Sequence, residues 1–466
     1  DMTAIVDDSG SATMRQLDQR CSAVADGLRA LGLAAGDGIG LLARNSAAFY
    51  ETAVGASRLG LDVTYLNTGY VRDQIAALVS QRRLRGLVYD PEFADRVPRS
   101  LLRVVTTGGP VGGVDTIEMM AAAAPSPGRW PSRASRHVIL TSGTTGEPKD
   151  VARTGGGVES LLSLLSGLPL RVRQTHLVAA PLFHAWGWLN LLLTMALSGT
   201  VVLARRFDPE GTLALIDRER CQVLIAVPTM LRRIMDLPAA VRHRYDTSCL
   251  RVVAVSGSAM SGSLASSFMD EYGDILFSLY GSTEAAFATV ASPADLRDAP
   301  GTAGRPLPMV RVRVVDEQGN RARPRQTGQI LVSSRDSVAA DPSGRPSVRT
   351  GDLGWIDDAG RLFVVSREDD MVIVGGENVY PVLVEHALED HPDIVEAAVV
   401  GVPDRVLGQA LVAHVVVRRG GSATAGSIRD WARERLAPFQ VPRRVVIHKD
   451  LPHGETGKVV KRSLVG

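Results

Sequence analysis

Residues 137–149 read HVILTSGTTGEPK and combine a short apolar run with a loop of hydroxyl side chains, two glycines and a lysine. A run such as HVIL is typical of a buried strand. The loop after it, Thr141–Lys149, offers backbone N–H groups, hydroxyls and one ammonium, which together can surround phosphate oxygens. We therefore predict a phosphate-binding loop here. Its spacing differs from G-x-x-x-x-G-K-[ST], so it is not a Walker A loop.

On both sides of this loop, from the start of the chain to about residue 280, short β-branched runs alternate with segments of helical period. This alternation is typical of parallel strands connected by helices. From about residue 300, closely spaced strands and turns predict a small antiparallel barrel or sheet. We predict an α/β protein with a large body over residues 1–367, a β-rich, barrel-like subdomain over roughly 300–366, and a small mobile α+β domain over 368–466.

Specific elements follow from the same patterns. The predicted strands of the body are Gly86–Tyr89, Leu101–Thr106, Val138–Leu140, Leu177–Ala180, Val201–Ala204, Val223–Val227, Arg251–Val255 and Ile275–Leu279. Its predicted helices are Arg15–Leu31, Ala47–Leu59, Val158–Leu165 and Glu210–Arg218. In the C-terminal domain we predict helices Val382–Leu388 and Ser427–Leu436 and strands Ala397–Val402, Ala410–Val417 and Arg444–Ile447.

Composition excludes several classes of protein. The 466 residues carry a formal net charge of +2, so no whole-chain field attracts nucleic acid. Three widely spaced cysteines form no C-x-x-C pair, which argues against a disulfide framework or a zinc site and favours a reducing cytoplasm. We expect no transmembrane segment and no signal peptide, while peripheral membrane association and a native start upstream of Asp1 stay open.

A second motif, YGSTE at 280–284, follows the predicted strand ILFSL. Its aromatic face, hydroxyls and carboxylate suit a nucleotide: Tyr280 can stack on a base and Thr283 can bind a phosphate oxygen. Glu284 can hold Mg²⁺, which takes oxygen ligands. Taken alone, such a pentapeptide is more often an ordinary turn at a strand end.

The chain resembles the adenylate-forming superfamily, which includes acyl-CoA synthetases, firefly luciferase and nonribosomal adenylation domains. The resemblance covers essentially all 466 residues and is closest to bacterial fatty acyl-CoA ligases. It rests on the loop at 141–149 and on an ordered set of further motifs: PLFHAWG (181–187), VPTM (227–230), SGSAM (256–260), YGSTE (280–284), GTAGRPLP (301–308), TGDLGWID (350–357), SREDDMVIVGGENVYP (366–381) and LPHGETGK (451–458).

The resemblance implies a role for each matching position. The catalytic positions it implies are Lys149, His184, Thr283, Glu284 and Lys458, with Glu284 also the Mg²⁺ ligand. The nucleotide-binding positions it implies are Thr141, Ser142, Gly143, Thr144, Thr145, Gly146, Ser256, Gly257, Ser258, Tyr280, Gly281, Ser282, Asp352 and Arg367. Of these, Asp352 accepts hydrogen bonds from the ribose hydroxyls with help from Arg367, and 256–260 lines the adenine.

Two positions near the C-terminal end are implied to act in turn. Only four of the 52 basic residues are lysines, and Lys458 is one of them. In similar enzymes this lysine bridges the carboxylate and the α-phosphate during adenylation. Asp369 matches the hinge about which the small domain rotates in similar enzymes. This rotation is implied to withdraw Lys458 and to present Gly375 and Gly376, so that a thiol can approach the adenylate.

The predicted activity is ATP-dependent activation of a carboxylic acid, followed by transfer to coenzyme A. His184 is expected beside the acyl pocket, and the apolar side chains that follow it favour a fatty acid: Trp188, Leu189, Leu191, Leu192 and Leu193. Three alternatives stay open: a fatty acyl-AMP ligase that loads an acyl carrier protein, an amino-acid-activating domain, and an impaired nucleotide-binding homologue. The last is raised by Asp150, which stands where relatives usually have glycine.

Overall fold

A computed structural model describes most of the chain. The described residues are 2–107, 115–126, 131, 133–140, 164–282, 286–333, 347–418, 420–454 and 459–465, with the backbone alone at 282, 286 and 369. The chain divides into two compact units, Asp1–Ala254 and Val255–Gly466. The domain boundary predicted between residues 367 and 368 stays a prediction.

The first unit alternates strands and helices. Its strands are β1 (Thr3–Asp7), β2 (Gly10–Thr13), β3 (Gly38–Leu42), β4 (Asp62–Tyr65), β5 (Leu84–Tyr89), β6 (Leu102–Val105), β7 (His137–Ile139), β8 (Thr175–Val178), β9 (Thr200–Leu203), β10 (Val223–Ala226) and, at the boundary, β11 (Val252–Val255). Its helices are α1 (Met14–Ala30), α2 (Ala47–Leu59), α3 (Arg72–Arg82), α4 (Ile117–Ala122), α5 (Ala185–Ala196), α6 (Pro209–Arg218), α7 (Pro228–Met235) and α8 (Ala239–Arg242).

Most of these strands pair in parallel, as predicted, and they belong to two sheets. One sheet has the order β6-β5-β3-β4-β7 and is parallel throughout. In the other, β8 lies between β10 and β9 and pairs parallel with both. The N-terminal hairpin β1–β2 extends that sheet, with β1 parallel to β9. Apolar runs such as Val223–Ala226 are buried at every position because both faces of these sheets are covered.

Helix α1 illustrates how local sequence sets an element. Thr13 and Gln16 form a capping box at its start, which satisfies backbone N–H groups that have no partner within the helix. Leu17, Val24 and Leu28 recur at helical spacing and are buried. The apolar face that they form packs α1 against α2.

The second unit is richer in antiparallel strands. Its strands are β12 (Leu276–Ser282), β13 (Ala286–Ala291), β14 (Arg305–Pro306), β15 (Arg311–Val315), β16 (Gly328–Ser333), β17 (Val348–Ile356), β18 (Leu362–Arg367), β19 (Val372–Val374), β20 (Glu377–Val379), β21 (Ile394–Asp404), β22 (Gly408–Val417) and β23 (Arg444–His448). Its helices are α9 (Gly262–Tyr272), α10 (Pro293–Asp298), α11 (Pro381–Glu389) and α12 (Ala425–Arg435).

Three groups of strands build this unit. Strand β13 pairs antiparallel with β12 and β14. Strands β15-β16-β17-β18 form a four-stranded antiparallel sheet, one of the two forms predicted for this region. Toward the C-terminus, β20-β19-β22-β21 are antiparallel and β23 joins β22 in parallel. Helices α11 and α12 cover this last sheet, and their residues Val384, Leu388 and Ile428 belong to its buried core.

The predicted α/β fold is confirmed, and the predicted elements that fall in described ranges occur within a few residues of their expected bounds. The predicted helix Val158–Leu165 lies largely outside the described residues. Strands β1 to β4 have no counterpart among the predicted strands. None of the helices in the described ranges combines the length and apolar character that a bilayer crossing requires.

Candidate active site

The predicted site residues divide into those that the structure describes and those that it does not. Outside the described residues lie Thr141, Ser142, Gly143, Thr144, Thr145, Gly146, Lys149, Asp150, Thr283, Glu284 and Lys458. For these positions the sequence-based roles stay predictions. Ser282 and Asp369 are described by their backbone: Ser282 ends β12, and Asp369 lies in a 3₁₀ turn directly after β18.

Tyr280, near the end of β12, and Asp352, on β17, are brought into direct contact. The Tyr280 hydroxyl donates a hydrogen bond of 2.6 Å to Oδ2 of Asp352. Burial, followed by the adjacent Asp352 carboxylate, raises the pKa of Tyr280 well above its usual range, so the phenol stays a proton donor. The sequence predicts separate roles for these residues, the base for Tyr280 and the ribose for Asp352, and the hydrogen bond shows that they also contact each other.

Arg367 lies on the other side of the same carboxylate. In the antiparallel pair β17–β18, Asp352 stands opposite Arg367, and Nη1 of the arginine lies 3.6 Å from Oδ1 of the aspartate. Asp352 is 9% exposed, whereas the Arg367 side chain is 44% exposed. The carboxylate is therefore largely buried between a phenol and a guanidinium, which suits an acceptor for sugar hydroxyls.

The TGD sequence at 350–352 lies inside strand β17. Thr350 Oγ1 donates to the Ile330 carbonyl at 3.2 Å and accepts from the Asp352 amide at 3.1 Å, which fixes the backbone before the carboxylate. Gly351 has φ of 73°. Any other residue would be strained at this φ, and its Cβ would lie 3.1 Å from Nη2 of Arg367. Glycine is therefore favoured at position 351, directly before Asp352.

The predicted adenine-lining segment begins immediately after β11. Ser256 is buried, Gly257 has φ of 96°, and Ser258 is partly exposed. The positive φ of Gly257 lets the chain turn sharply at the carboxyl end of a strand, where ligands of open α/β sheets bind. The adenine-lining role of this segment stays a prediction.

His184, in the first unit, is the residue that precedes helix α5. Its ring packs against Phe183, with ring centroids 4.5 Å apart. The segment before it is fixed by Asn45, whose Oδ1 accepts from the Leu182 amide at 2.9 Å and whose Nδ2 donates to the Ala180 carbonyl at 3.1 Å. Asn45 is buried and positions the backbone that carries His184.

The apolar side chains after His184 are largely occupied in the core. Trp188, Leu191 and Leu193 are buried, while Leu189 and Leu192 are partly exposed. Trp188 packs against the rings of Phe49 and Tyr65, with centroids 5.9 and 5.3 Å away. Most of the residues that suggested an alkyl pocket therefore fill the interior of the first unit.

Sequence reasoning missed two positioning residues, Asn45 and Thr350. Asn45 lies between β3 and α2, in the sequence RNS. Its only local signal is that it directly precedes Ser46, the residue that caps α2. Thr350 belongs to the TGD motif, in which the family resemblance implies a role for Asp352 alone. Both act through the backbone of distant segments, and no local pattern reports such contacts.

The comparisons with known proteins place these features in a family. The AMP-binding enzyme family matches residues 1–340, and the AMP-binding enzyme C-terminal domain matches residues 383–458. A feruloyl-CoA synthase from Amycolatopsis sp. is 33% identical, with 98% of this chain and 94% of the relative covered. An indoleacetate–CoA ligase from Aromatoleum aromaticum is 31% identical, with 94% and 89% covered.

A solved structure extends the comparison. The amide bond synthetase McbA from Marinactinospora thermotolerans superimposes with a TM-score of 0.86 at 30% identity, covering 99% of this chain and 96% of that one. The chain belongs to the AMP-binding enzyme family, whose members form acyl-adenylates. The matches support the prediction of an ATP-dependent acid–CoA ligase, with a carboxylic acid, ATP and coenzyme A as its substrates.

Proposed function

We propose that the protein activates a hydrophobic carboxylic acid in two half-reactions. In the first, a carboxylate oxygen attacks the α-phosphorus of ATP, the bond from that phosphorus to the bridging oxygen breaks, and pyrophosphate leaves. In the second, a thiol sulfur attacks the acyl carbon, the carbon–oxygen bond to AMP breaks, and the thiol proton passes to solvent. The observation that carries this proposal is the buried Asp352 carboxylate between Tyr280 and Arg367 in a chain that matches the family along its length.

The residues outside the described ranges are assigned roles on their sequence motifs. Lys149 and Thr283 would contact phosphate oxygens, Glu284 would hold Mg²⁺, and Lys458 would bridge the reacting carboxylate and the α-phosphate. Bound Mg²⁺ supplies charge compensation for the leaving pyrophosphate. No side-chain nucleophile is needed, so catalysis consists of positioning and electrostatic stabilisation.

For the acid, we place an aryl or arylalkanoic acid first. The relatives named for feruloyl and indoleacetate substrates support this choice. A fatty acid, the substrate predicted from the sequence, is the second candidate. Its support is reduced because Trp188, Leu191 and Leu193 are buried in the core, which leaves fewer apolar side chains for an alkyl tail.

For the acceptor, we place the coenzyme A thiol first. The similarity to an amide bond synthetase makes an amine the second candidate, because an amine attacks the same acyl-adenylate carbon. A carrier-protein thiol is the third, as predicted from the sequence. All three acceptors share the first half-reaction and differ only in the nucleophile that displaces AMP.

We also propose a reducing, cytoplasmic location. The thiols of Cys21, Cys221 and Cys249 are free, and Cys21 and Cys221 are buried. Burial raises the pKa of each buried thiol to about 12, so both stay protonated and unreactive at neutral pH. Such thiols fit a compartment in which disulfides are rare.

The test is ATP–pyrophosphate exchange over a panel of ferulate, indole-3-acetate, benzoate, octanoate, palmitate and phenylalanine. We expect the aryl acids to support the fastest exchange, with phenylalanine inactive. Each active acid is then incubated with coenzyme A, with a simple amine, or with an acyl carrier protein, and the products are identified by mass spectrometry. Exchange with no acid of the panel would contradict the proposed function, and exchange restricted to palmitate would restore the fatty-acid prediction.

A further inference from the structure

Helix α5, which follows His184, carries hydrogen-bonding side chains along one stripe of an otherwise apolar sequence. Trp186, Asn190 and Thr194 recur at intervals of four residues, which places them one above another on a single face of the helix. All three are buried. Because buried polar groups need hydrogen-bond partners, this stripe shows where α5 is attached to its neighbours.

The N-terminal end of the stripe is attached to strand β10. The indole N–H of Trp186 donates to the Ala226 carbonyl at 2.9 Å, and Ala226 is the last residue of that strand. Gly187 permits a close approach to the segment before the helix, since a Cβ there would lie 2.4 Å from the Pro181 carbonyl oxygen. The first turn of α5 is therefore held at the carboxyl end of a parallel strand, where ligands of open α/β sheets bind.

The C-terminal end of the stripe is attached to strand β8. Thr194 Oγ1 donates to the Asn190 carbonyl at 2.7 Å and lies 2.8 Å from Nδ1 of His176. Because a hydroxyl has a single proton, this oxygen accepts its second hydrogen bond from the His176 Nδ1–H. Burial lowers the pKa of His176 to about 4, so the ring is neutral at pH 7 and carries its proton on Nδ1.

The two attachments together specify how α5 lies on the sheet. Asn190 lies midway between them, and its Nδ2 donates to the Trp186 carbonyl at 2.8 Å. Trp186 and Thr194 are eight residues apart, which corresponds to about 12 Å of helix. Apolar contacts are non-directional and allow a helix to rotate or slide, whereas two directional hydrogen bonds to different strands fix one rotation and one axial position.

The position of His184 depends on this arrangement. His184 directly precedes α5, and its carbonyl accepts a hydrogen bond from the Trp188 amide at 3.1 Å, so it belongs to the first turn of the helix. Trp186 lies two residues further along the same turn. A rotation or a shift of α5 therefore moves the imidazole of His184.

We propose that Trp186 and Thr194 position His184 for the carboxylic acid by fixing α5 to β10 and β8. This inference rests on the proposed function, because His184 is expected beside the acyl pocket. Trp186 and Thr194 are positioning residues and do not touch the reacting atoms. A displacement of about 1 Å at a group that orients a substrate is enough to slow a reaction, so loss of either attachment should impair the use of the acid.

The other interpretation of the stripe is that it only stabilises the core of the first unit. In that case loss of a hydrogen bond lowers the free energy of unfolding and affects both substrates alike. A positioning role instead separates the two substrates: KM for the acid rises, whereas KM for ATP stays at the parental value. The two interpretations therefore predict different kinetics for the same variants.

The test measures ATP–pyrophosphate exchange in Trp186→Phe and Thr194→Val, with the acid of the panel that the parent uses fastest. Trp186→Phe removes the indole N–H and keeps an aromatic ring, and Thr194→Val removes the hydroxyl at nearly constant shape. We expect KM for the acid to rise about tenfold in each variant, with KM for ATP within about twofold of the parent. Thr194→Ser, which keeps the hydroxyl, should restore KM for the acid to within about threefold of the parent.

Two matched controls remove the same kinds of group elsewhere. Trp431→Phe removes an indole N–H that donates to the Ala387 carbonyl at 3.0 Å, between helices α12 and α11. Thr212→Val removes a buried hydroxyl that donates to the Asp208 carbonyl at 2.7 Å in α6. Both controls should leave KM for the acid within about twofold of the parent.

A second measurement is independent of activity. Nuclear magnetic resonance of the ¹⁵N-labelled indole groups reports hydrogen exchange at Trp186, whose signal is assigned by its loss in Trp186→Phe. If both attachments hold one helix, Thr194→Val should speed exchange of the Trp186 indole N–H at least about threefold, and Thr212→Val should leave it unchanged.

Several results would overturn the inference in an active parent: an equal rise of KM for acid and ATP, unchanged kinetics in Trp186→Phe and Thr194→Val, or an equal effect of the controls. Unchanged indole exchange in Thr194→Val would overturn it as well, because the two attachments would then act separately. A parent without exchange on any acid would instead overturn the proposed function itself and, with it, the role given to His184.

Discussion

The Tyr280 hydroxyl, on β12, donates a hydrogen bond to Oδ2 of Asp352, on β17. The two residues are 72 positions apart in the chain. Arg367 approaches the other oxygen, Oδ1, to 3.6 Å. If Asp352 accepts hydrogen bonds from the ribose hydroxyls, as predicted, the ribose meets a carboxylate whose position is already fixed from both sides. Such preorganisation lowers the entropy lost on binding.

Replacing Tyr280 by phenylalanine should weaken ATP binding. A hydrogen bond to a charged group contributes about 1.5–3 kcal/mol, so we expect KM for ATP to rise about tenfold or more while kcat stays within threefold. The matched control is Tyr245→Phe, which removes a phenol bonded at 2.8 Å to the Glu210 carboxylate in the first unit. An unchanged KM in Tyr280→Phe, or an equal rise in the control, would contradict this role.

How far the sequence could predict this site depends on the kind of contact. Tyr280, Asp352 and Arg367 were each located from motifs, because each motif is local and ordered along the chain. The hydrogen bond between Tyr280 and Asp352 could not be predicted, since it depends on how separate strand groups are placed. The Asp352–Arg367 pairing depends on a register shift between Leu353 and Gly354, which no sequence pattern reports.

The apolar residues after His184 show a second limit. Helical period indicates that Trp188, Leu191 and Leu193 are apolar neighbours, but the same pattern fits a ligand pocket and a protein core. The structure decides the question by packing Trp188 on Phe49 and Tyr65. Strands β5 to β12, by contrast, lie close to predicted strands, because an apolar run that is buried on both faces of a sheet is visible in the sequence, whereas β1 to β4 were missed.

Glu51, on α2, should make the stability of the protein depend on pH. It is fully buried, with Oε1 2.8 Å from Nε of Arg20, and burial raises its pKa from 4.5 to about 7. Because the folded state then holds the proton more tightly, the contribution of Glu51 to the stability of the protein is most favourable below pH 4.5. This contribution is lost as the pH rises through 7. The loss amounts to roughly 3 kcal/mol at most.

Glu51→Gln should therefore remove part of the decline in Tm between pH 5 and pH 8, measured by calorimetry. The control is Glu434→Gln, which removes a carboxylate whose side chain is 71% exposed and should leave the slope unchanged. If Glu51→Gln shows the same slope as the parent, the group titrates at its ordinary pKa and the argument from burial is wrong.

His453 should titrate above the ordinary histidine value of 6.5. The hydrogen bond to Glu396 and then the charges of Glu396 and Asp450 raise the pKa of its imidazole, against a smaller opposing effect of burial. The stabilisation from this ion pair is fully present below pH 6.5 and is lost as the pH rises through the raised value. An NMR titration, assigned with His453→Gln, checks the direction, and Glu396→Gln should lower the pKa. A value at or below 6.5 in the parent would contradict the ion pair.

Asp150 offers a test of nucleotide affinity. A carboxylate beside the predicted phosphate loop repels a triphosphate, so Asp150→Gly should lower KM for ATP if the charge faces the site. Asp150→Asn, which keeps the size and removes the charge, should have the same effect and separates charge from backbone freedom. A weaker affinity in either variant would show that the carboxylate helps to bind the nucleotide.

Domain alternation predicts that the two half-reactions depend on different residues. Lys458→Ala should lower ATP–pyrophosphate exchange at least a hundredfold, because it removes the ammonium that we propose to bridge the carboxylate and the α-phosphate. Given presynthesised acyl-adenylate, the same variant should form the thioester at close to the parental rate. Asp369→Pro should do the reverse, since proline fixes φ near −65° at the residue that follows β18 by two positions and hinders rotation there. Each variant must first be shown to bind ATP, which excludes misfolding. Equal slowing of both halves by Lys458→Ala, or normal thioester formation by Asp369→Pro, would show that the two steps do not require separate domain positions.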